Sequence, residues 1–359
     1  MLCVNRREFL VLLATGLSLG SSDWGWCPQS HLYGKEEKAF SEGTLLRQVV
    51  DRGLAWLAAR QGSRGGWELP EGYPTALSAL AGMAFLCDGS TPQDGRYSQH
   101  VRRVADYLLS RVQKNGLISV PSEDDRYTYG HGFAMLFLSQ ILGEESDRSR
   151  RRRVSDVLTR AVAFTGSSQT RYGGWGYVSA AEGGNFDEGS TTITQVQALR
   201  GCRMAGIDVP KSIIDRAVIY IHRCSIRGGT GGIQYNIYGG ADRPPISAAA
   251  LASLYNAGEY DGDYVPKLSA YCKNKLGKPE DDGGTTGFWH YAHYYYSQVV
   301  YREGAKAWCE YRDRLYAKLL REVSPEGCWK QGYLGAHLTT SMNLTMLQLE
   351  KATLPIYQR

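Results

Sequence analysis

The segment Gly173-Gly174-Trp175-Gly176-Tyr177 is the most complete of six glycine-rich loops that divide this 359-residue chain into similar units. Each loop follows a helix-like stretch with charges on one side and precedes a second helix-like stretch that is almost free of charge. The intervals between the marker glycines are 50, 58, 58, 52 and 43 residues. Spacing of this size predicts a repeated supersecondary unit. The marker glycines are Gly66, Gly116, Gly174, Gly232, Gly284 and Gly327.

The two kinds of stretch predict helices in different surroundings. In residues 44–60, Leu45, Val49, Leu54 and Leu57 recur at helical spacing among charged residues, which is typical of an amphipathic, half-exposed helix. The second stretches carry almost no charge on any face, so we expect them to be buried all round. Outer helices are predicted at 44–60, 99–113, 153–166, 211–224, 263–276 and 305–322, and inner helices at 73–86, 130–138, 191–199, 247–254, 288–300 and 338–349.

Six half-exposed helices that alternate with six buried ones indicate two concentric rings. The sequence therefore predicts an all-α fold, an (α/α)6 toroid of six helical hairpins, in a single domain over residues 40–355. An open solenoid is the alternative, but it needs polar caps at both ends, and the sequence shows none. We expect the loop glycines to supply left-handed turns and the loop tryptophans to pack between neighbouring hairpins.

The first 30 residues form a targeting segment. Paired arginines in Asn5-Arg6-Arg7-Glu8-Phe9-Leu10 precede a weakly apolar run at 11–20, a pattern typical of a bacterial twin-arginine signal. This pattern predicts export to the periplasm or cell envelope. An ordinary secretory signal or a short membrane anchor remains the alternative interpretation.

Charge and cysteine content exclude other classes of function. The net charge of +5 is mild and does not indicate a nucleic-acid partner. The eight cysteines are widely spaced and include no C-x-x-C pair, so they indicate neither a zinc ribbon nor a disulfide framework. Most of them are expected to be small buried hydrophobic residues.

Two of the loops resemble a known motif. Gln61-Gly62-Ser63-Arg64-Gly65-Gly66-Trp67 and Tyr172-Gly173-Gly174-Trp175-Gly176 are similar to the Gln-Trp repeats of squalene–hopene cyclases and of protein prenyltransferase β subunits. The chain after its signal resembles exported, single-toroid bacterial proteins of the prenyltransferase and squalene-oxidase-repeat superfamily, or half of a hopene cyclase. The resemblance implies a toroid with a central apolar cavity that handles an isoprenoid or other apolar ligand.

The resemblance also implies candidate catalytic residues. Hopene cyclases protonate a polyene with an Asp-x-Asp-Asp-Thr motif, and the similar stretch here places Asp187 and Glu188 at acid positions, although Asn185 replaces the first acid. Such an acid must be kept protonated by burial and by its neighbours. The remaining catalytic candidates are His290, as a base or ligand, and Tyr294, as a cation-stabilising ring.

The zinc site of the prenyltransferases is matched at one ligand. Phe288-Trp289-His290 resembles the stretch that carries the zinc-binding histidine, but residues 242–248, where an Asp-x-Cys pair is expected, contain no cysteine. Because a catalytic zinc generally needs three protein ligands, we predict no zinc, no other metal and no cofactor.

Aromatic residues are densest at 289–296. Aromatic faces stabilise carbocations, whereas tyrosine hydroxyls need polar partners and favour a partly wet pocket. The same residues suit ordinary packing, and the histidines at 290 and 293 suit either an acid–base pair or hydrogen-bonded positions in an aromatic wall. The candidate cavity or ligand-binding residues are Phe133, Trp175, Tyr235, Arg243, Trp289, Tyr291 and His293.

Positive charge has two expected locations. The N-termini of the inner helices share one end of the ring, where Arg126 and Arg243 would add to the helix dipoles and favour a pyrophosphate. Pairing of these arginines with nearby acids is the alternative. The basic run at 148–153 is expected to be a solvated loop between helices, with contact to anionic lipid or a phosphate backbone as the alternative.

Three classes of function follow. The chain is an isoprenoid-handling enzyme of cyclase or transferase type, a non-catalytic toroid that binds a lipid or other apolar ligand, or a protein-interaction toroid that has lost the catalytic motifs. The candidate partners are accordingly an apolar small molecule or isoprenoid, a membrane surface or a protein, and not a nucleic acid. An enzyme needs an acid inside the ring, a binding protein needs a ligand cavity, and a scaffold has a centre filled by side chains.

Overall fold

A computed structural model describes residues 33–358 except 68–71, 227–228, 261 and 334, and for residues 33–42 only the backbone. The export signal predicted at 1–30 lies outside these residues and stays a prediction. The α-helices of the described part are α1 (Tyr33–Ala58), α2 (Pro74–Cys87), α3 (Ser98–Ser110), α4 (Tyr127–Ile141), α5 (Arg148–Ser168), α6 (Gly189–Met204), α7 (Lys211–Arg223), α8 (Pro244–Ala257), α9 (Val265–Leu276), α10 (Trp289–Glu303), α11 (Ala305–Glu322) and α12 (Ala336–Leu347), and a small antiparallel hairpin comprises β1 (Gln234–Asn236) and β2 (Gly239–Asp242).

The helices form a closed ring. The even-numbered helices are the inner ones: each packs on the next, and α12 packs back on α2. The odd-numbered helices are amphipathic and surround them. The predicted (α/α)6 toroid is therefore confirmed, and the contact between α12 and α2 excludes an open solenoid.

Several helices extend beyond their predicted bounds. Helix α8 begins at Pro244, since proline is well suited to the first turn of a helix, where its missing N–H needs no partner. The basic run at 148–153, expected to be a loop, instead forms the first turns of α5. Asp147 caps this helix by accepting a hydrogen bond from the backbone N–H of Arg150 at 2.8 Å.

Five of the six glycine-rich loops join their own hairpin to the next one, whereas in the fifth loop Gly283 lies against Lys275 of its own outer helix. Gly173 has a φ of +99°, and a side chain there would overlap the carbonyl oxygen of Arg216 on the following outer helix. The backbone N–H of Trp175 donates to Thr192 Oγ1 at 3.0 Å, and its indole N–H donates to the Thr165 carbonyl at 2.8 Å. The loop is thus held by a left-handed turn, an inner-helix hydroxyl and an outer-helix carbonyl.

The last loop repeats this arrangement and closes the ring. The indole N–H of Trp329 donates to the Leu319 carbonyl at 2.9 Å, and its backbone N–H donates to Thr340 Oγ1 at 3.1 Å. Gly327, with a φ of +93°, lies against the backbone of Arg52 on α1. The first and last repeats therefore meet through the same contact that joins neighbouring repeats.

At the second loop, a histidine of the inner helix α4 takes the place of the hydroxyl residue that binds the loop backbone in the other two loops described. His131 Nδ1 accepts the backbone N–H of Ile118 at 3.0 Å, so its Nε2 carries the proton and donates to Thr165 Oγ1 at 3.0 Å. Burial lowers the pKa of His131 to about 3, because a charged imidazolium would lose its water there. The folded protein therefore holds this side chain neutral.

We expect acid to destabilise the protein through this histidine. An unfolded histidine titrates near a pKa of about 6.5, so stability is full above that pH and is lost as the pH falls toward 3. The expected loss is roughly 3 kcal/mol of unfolding free energy between pH 7 and pH 4. His293, whose pKa burial also lowers to about 3, contributes similarly. Urea denaturation at several pH values measures how steeply the unfolding free energy falls with pH. His131→Asn, which keeps an acceptor but does not titrate, should make this dependence less steep. An unchanged pH dependence in this variant would contradict the assignment.

The centre of the ring is filled by side chains. An inner helix has one face toward the outer ring and one toward the bore, yet all 14 residues of α2 are buried, as are all of α4 except the half-buried Tyr129. Gln197 Nε2 on α6 donates to Gln298 Oε1 on α10 at 2.8 Å. This differs from the expected hollow centre, because long tyrosine and glutamine side chains reach inward and occupy it.

The two ends of the bore are different. At the end formed by the C-termini of the inner helices, the final segment of the chain covers the opening. The hydroxyls of Tyr294 and Tyr357 lie 2.7 Å apart, and the Ile356 N–H donates to Gln140 Oε1 at 3.3 Å. The other end, where the inner helices begin, is called the mouth below.

Five described cysteines are free and buried, as expected for small hydrophobic residues, whereas Cys309 is disulfide-bonded. No helix among the described residues has the length and apolar character needed to cross a bilayer. The free cysteines are Cys87, Cys202, Cys224, Cys272 and Cys328.

Candidate functional site

The mouth is surrounded by the residues that immediately precede the inner helices. Because outer and inner helices alternate, all six inner N-termini lie at this end, where their dipoles place partial positive charge. Only Glu188 of the six caps its helix with its side chain, and Gly335 has no side chain, so four side chains are left for the surface of the mouth. The six residues are Tyr73, Arg126, Glu188, Arg243, Phe288 and Gly335.

Glu188 is the buried acid of the mouth. Its carboxylate accepts the backbone N–H groups of Ser190 and Thr191, at 2.9 and 2.6 Å, and so caps α6. It also accepts the hydroxyl of Ser190 at 2.7 Å and that of Tyr129 at 3.1 Å. Although it is fully buried, every bond that it makes here uses it as an acceptor.

Asp187 points the other way. Successive side chains of extended backbone lie on opposite sides, and Asp187 reaches the outer layer, where it accepts the Thr170 hydroxyl at 2.6 Å and contacts the phenol of Tyr220. Burial raises its pKa. Asp242 stands in the equivalent place two residues before α8 and lies near the outer-helix phenol of Tyr271. Asp187 and Asp242 therefore occupy equivalent positions in two repeats, each beside a tyrosine of an outer helix.

Aromatic rings and arginines cover the mouth around Glu188. The hydroxyls of Tyr177 and Tyr235 are hydrogen-bonded to each other. The guanidinium of Arg126 lies 4.3 Å from the ring centre of Tyr177, and that of Arg243 lies 4.7 Å from the ring centre of Tyr235. These are cation–π distances, so the mouth carries two cations held on aromatic faces.

Burial keeps the phenols of the mouth protonated. Burial, and then the negative charge of Glu188, raise the pKa of Tyr129 and of Tyr177. Burial, with smaller contributions from Tyr129 and Glu188, raises the pKa of Tyr291 on the opposite inner helix. At neutral pH these side chains are hydrogen-bond donors. Among the described residues, no group of three or more His, Cys, Asp or Glu side chains could hold a metal ion.

The two histidines of α10 face different neighbours. His290 Nδ1 lies 2.9 Å from Asn343 Oδ1 on α12, and burial lowers its pKa. His293 Nδ1 lies 2.6 Å from the Tyr311 hydroxyl on the outer helix α11. Each therefore has a hydrogen-bonding partner of its own within the helix packing.

The structure brings Glu188, Tyr235, Arg243 and Tyr291 together at the mouth and places other predicted residues elsewhere. Trp175 is a loop contact, and the indole of Trp289 donates to the Pro279 carbonyl at 3.0 Å in the same manner. Phe133 is buried in the core, and Tyr294 lies at the covered end of the bore. The predicted candidates thus divide between the mouth and the packing of the ring.

Sequence reasoning missed Tyr129 and Tyr177 as site residues. The repeat register was the available signal. Tyr177 and Tyr235 each stand three residues after the marker glycine of their loop, and Tyr129 and Tyr291 are each the third residue of an inner helix. Aligning the repeats would therefore have placed both pairs at one end of the ring.

Solved structures share this architecture. Type II terpene cyclase MstE from Scytonema, in complex with the product merosterolic acid A, has a TM-score of 0.58 at 13% identity, covering 88% of this chain and 99% of that one. Its complex with the substrate geranylgeranyl dihydroxybenzoate gives 0.57 at 12% identity, covering 88% and 99%. A protein from Actinoplanes gives 0.53 at 15% identity, covering 84% and 98%. No protein-family model and no curated protein matches the sequence. The chain therefore has the α/α-toroid fold of the type II terpene cyclases.

Proposed function

We propose that the mouth of the ring binds an isoprenoid or another apolar ligand. The observation that carries this proposal is that three half-buried tyrosines, Tyr129, Tyr177 and Tyr235, surround one buried acid, Glu188, and that two more half-buried aromatic side chains lie at the same end of the ring. Half-buried rings leave apolar surface open to solvent, and a hydrocarbon chain that covers it is stabilised by the area removed from water. The five aromatic residues are Tyr73, Tyr129, Tyr177, Tyr235 and Phe288.

The arginines suit a ligand with a polar end. Arg126 and Arg243 are exposed, and guanidinium groups match carboxylate and phosphate oxygens. MstE, which shares the fold, binds a substrate that joins a geranylgeranyl chain to a dihydroxybenzoate. An amphiphile of that general kind would place its head at the arginines. Because the bore below is filled, its chain would lie across the aromatic rings of the mouth.

The geometry supports binding better than cyclisation. Protonation of an alkene requires an acid that carries a proton and is directed at the substrate. Asp187 points into the outer layer, and Glu188 accepts hydrogen bonds from two hydroxyls and two backbone N–H groups. We therefore favour the non-catalytic, ligand-binding toroid among the functions considered.

Quenching of intrinsic fluorescence by geranylgeranyl dihydroxybenzoate tests this proposal. We expect the wild-type protein to bind and Tyr177→Ala to bind about tenfold or more weakly, because the ring surface covering the chain is lost. Ile219→Ala, at a half-exposed apolar residue of the outer helix α7, is the matched control. Wild-type affinity in the Tyr177 variant, with thermal unfolding unchanged, would refute the proposed location.

The same incubation tests catalysis. Mass spectrometry and chromatography of the recovered ligand should return it unchanged. A cyclised isomer would show that the ring is an enzyme after all, and its loss in Glu188→Gln but not in Asp187→Asn would identify the acid.

A protein-interaction toroid is the second candidate. The filled centre favours it, because a scaffold needs no ligand space inside the ring. Absence of binding by the wild-type protein to any isoprenoid amphiphile in the fluorescence assay would leave this candidate as the better one.

A further inference from the structure

A small pocket lies at the end of the bore opposite the mouth. It measures about 210 Å³ and lies between the last turns of α6 and α10 and the final segment of the chain. Arg200, Arg302 and Gln358 are its polar lining residues, and Met204, Tyr260 and Ile356 form much of the rest. Neither arginine belongs to the mouth or to the Gln-Trp loops.

Arg302 is only partly satisfied by the protein. Its Nη2 donates to Asn256 Oδ1 at 2.9 Å and to the Ile356 carbonyl at 2.6 Å, which ties the final segment to α10. Its Nη1 is buried and has no hydrogen-bond partner among the described residues. In the Arg302 guanidinium, Nη2 is therefore bonded to the protein, whereas Nη1 is not.

Arg200 adds a second unused donor. Its Nε is buried and likewise finds no acceptor within the described part of the chain. The ion pairs among the described residues include neither arginine. Burial, with a further contribution from the charge of Arg200, lowers the pKa of Arg302. Two cations therefore line one small pocket, and no carboxylate of the described residues forms an ion pair with either of them.

This arrangement is costly unless something occupies the pocket. A buried N–H without an acceptor loses its bonds to water, and two neighbouring guanidinium groups repel each other. The carbonyl ends of α6 and α10 favour cations nearby, which accounts for arginines at these positions. The helix ends do not account for donors that lack acceptors. An oxyanion in the pocket would supply the opposite charge and, once these side chains turn toward it, the acceptors.

We propose that Arg200 and Arg302 form a binding site for a phosphate group at the covered end of the bore. The phosphate is either a free phosphate or the head group of a phospholipid, since both present the same oxygens to a guanidinium. The half-exposed Met204 and Tyr260 beside the pocket would contact the remainder of a larger ligand. The site is independent of ligand binding at the mouth.

Titration of the full-length protein with inorganic phosphate, followed by calorimetry, tests the site. Arg200→Met is the informative variant, because no side-chain hydrogen bond of Arg200 is present among the described residues and the fold should tolerate its loss. We expect it to bind phosphate about tenfold or more weakly than the wild type, as charge-assisted hydrogen bonds are lost. Arg203→Met, at an exposed position of the same helix, is the matched control and should bind normally.

A second arm identifies the source of the phosphate. Co-sedimentation with phosphatidylcholine vesicles, with and without phosphatidic acid, is compared for the same three proteins. Binding of inorganic phosphate that depends on Arg200 supports a free-phosphate site, whereas Arg200-dependent binding only to phosphatidic acid vesicles supports a lipid head group. Equal behaviour of the Arg200 and Arg203 variants in both arms, or no binding by the wild type in either, overturns the proposal.

Discussion

Replacing Arg111 by methionine is expected to lower the free energy of unfolding by about 3 to 5 kcal/mol, because it leaves a buried carboxylate without its cation. Arg111 and Asp124 are 3% and 1% exposed, and their Nη2 and Oδ2 atoms lie 2.9 Å apart. Arg111 Nε also donates to Thr75 Oγ1 at 2.7 Å, on the first turn of α2. The pair therefore joins the end of an outer helix to the start of an inner one.

Urea denaturation measures this loss. Lys211→Met is the matched control, because Lys211 and Asp215 form an exposed ion pair, with side chains 83% and 49% accessible. Its removal should cost no more than about 1 kcal/mol. Removing both partners as Arg111→Met with Asp124→Leu should recover part of the stability, since no unpaired buried charge remains. A loss in the Arg111 variant as small as that of the control would show that the pair is not a buried contact.

The second large effect is expected at a loop glycine. Gly173→Ala should lower the unfolding free energy by about 3 kcal/mol or more. A left-handed turn costs an L-residue roughly 1–2 kcal/mol. At Gly173 the new methyl group would also overlap the Arg216 carbonyl oxygen, so the next hairpin has to move outward.

Gly206→Ala separates the two contributions. Gly206 also has a positive φ, +83°, but open space surrounds the position of its missing side chain. This variant should therefore lose only the backbone contribution, about 1–2 kcal/mol. Chemical denaturation of both variants gives the difference, which is the cost of separating two hairpins. Equal losses would mean that the loop does not join neighbouring repeats as described.

The two proposed binding sites lie at opposite ends of the bore. The mouth combines aromatic rings, two arginines and Glu188, whereas the covered end combines two arginines with the final segment of the chain. Variants at Tyr177 and Arg200 address the two ends separately, so failure of one proposal does not affect the other.

The architecture was predictable from the sequence because the repeated unit is visible as a regular spacing of similar segments. Charged and uncharged helical stretches recur six times, and the uncharged ones can be stable only inside a ring. The helix bounds were less predictable. The arginines at 148–153 would not be expected to begin a helix, since they oppose its dipole, but Asp147 caps that end and Glu145 and Asp106 pair with Arg150.

The candidate site was predictable only in part. Glu188 and Arg243 were identified because each stands next to an inner helix in the sequence. The sequence could not show that Asp187 faces the outer layer and Glu188 faces the mouth, since this depends on the side of an extended backbone on which each carboxylate lies. The resemblance to cyclases made both acids equal candidates for the catalytic acid.

Sequence alone determined the number of hairpins, their order and the glycine loops between their helices, because these depend on local spacing and on residues with restricted roles. Tertiary structure decided that the ring closes through Gly327 and Arg52, that tyrosine and glutamine side chains fill its centre, and that Arg200 and Arg302 share a pocket. Those features depend on distances between side chains more than a hundred residues apart in the chain, and only the packing of twelve helices fixes such distances.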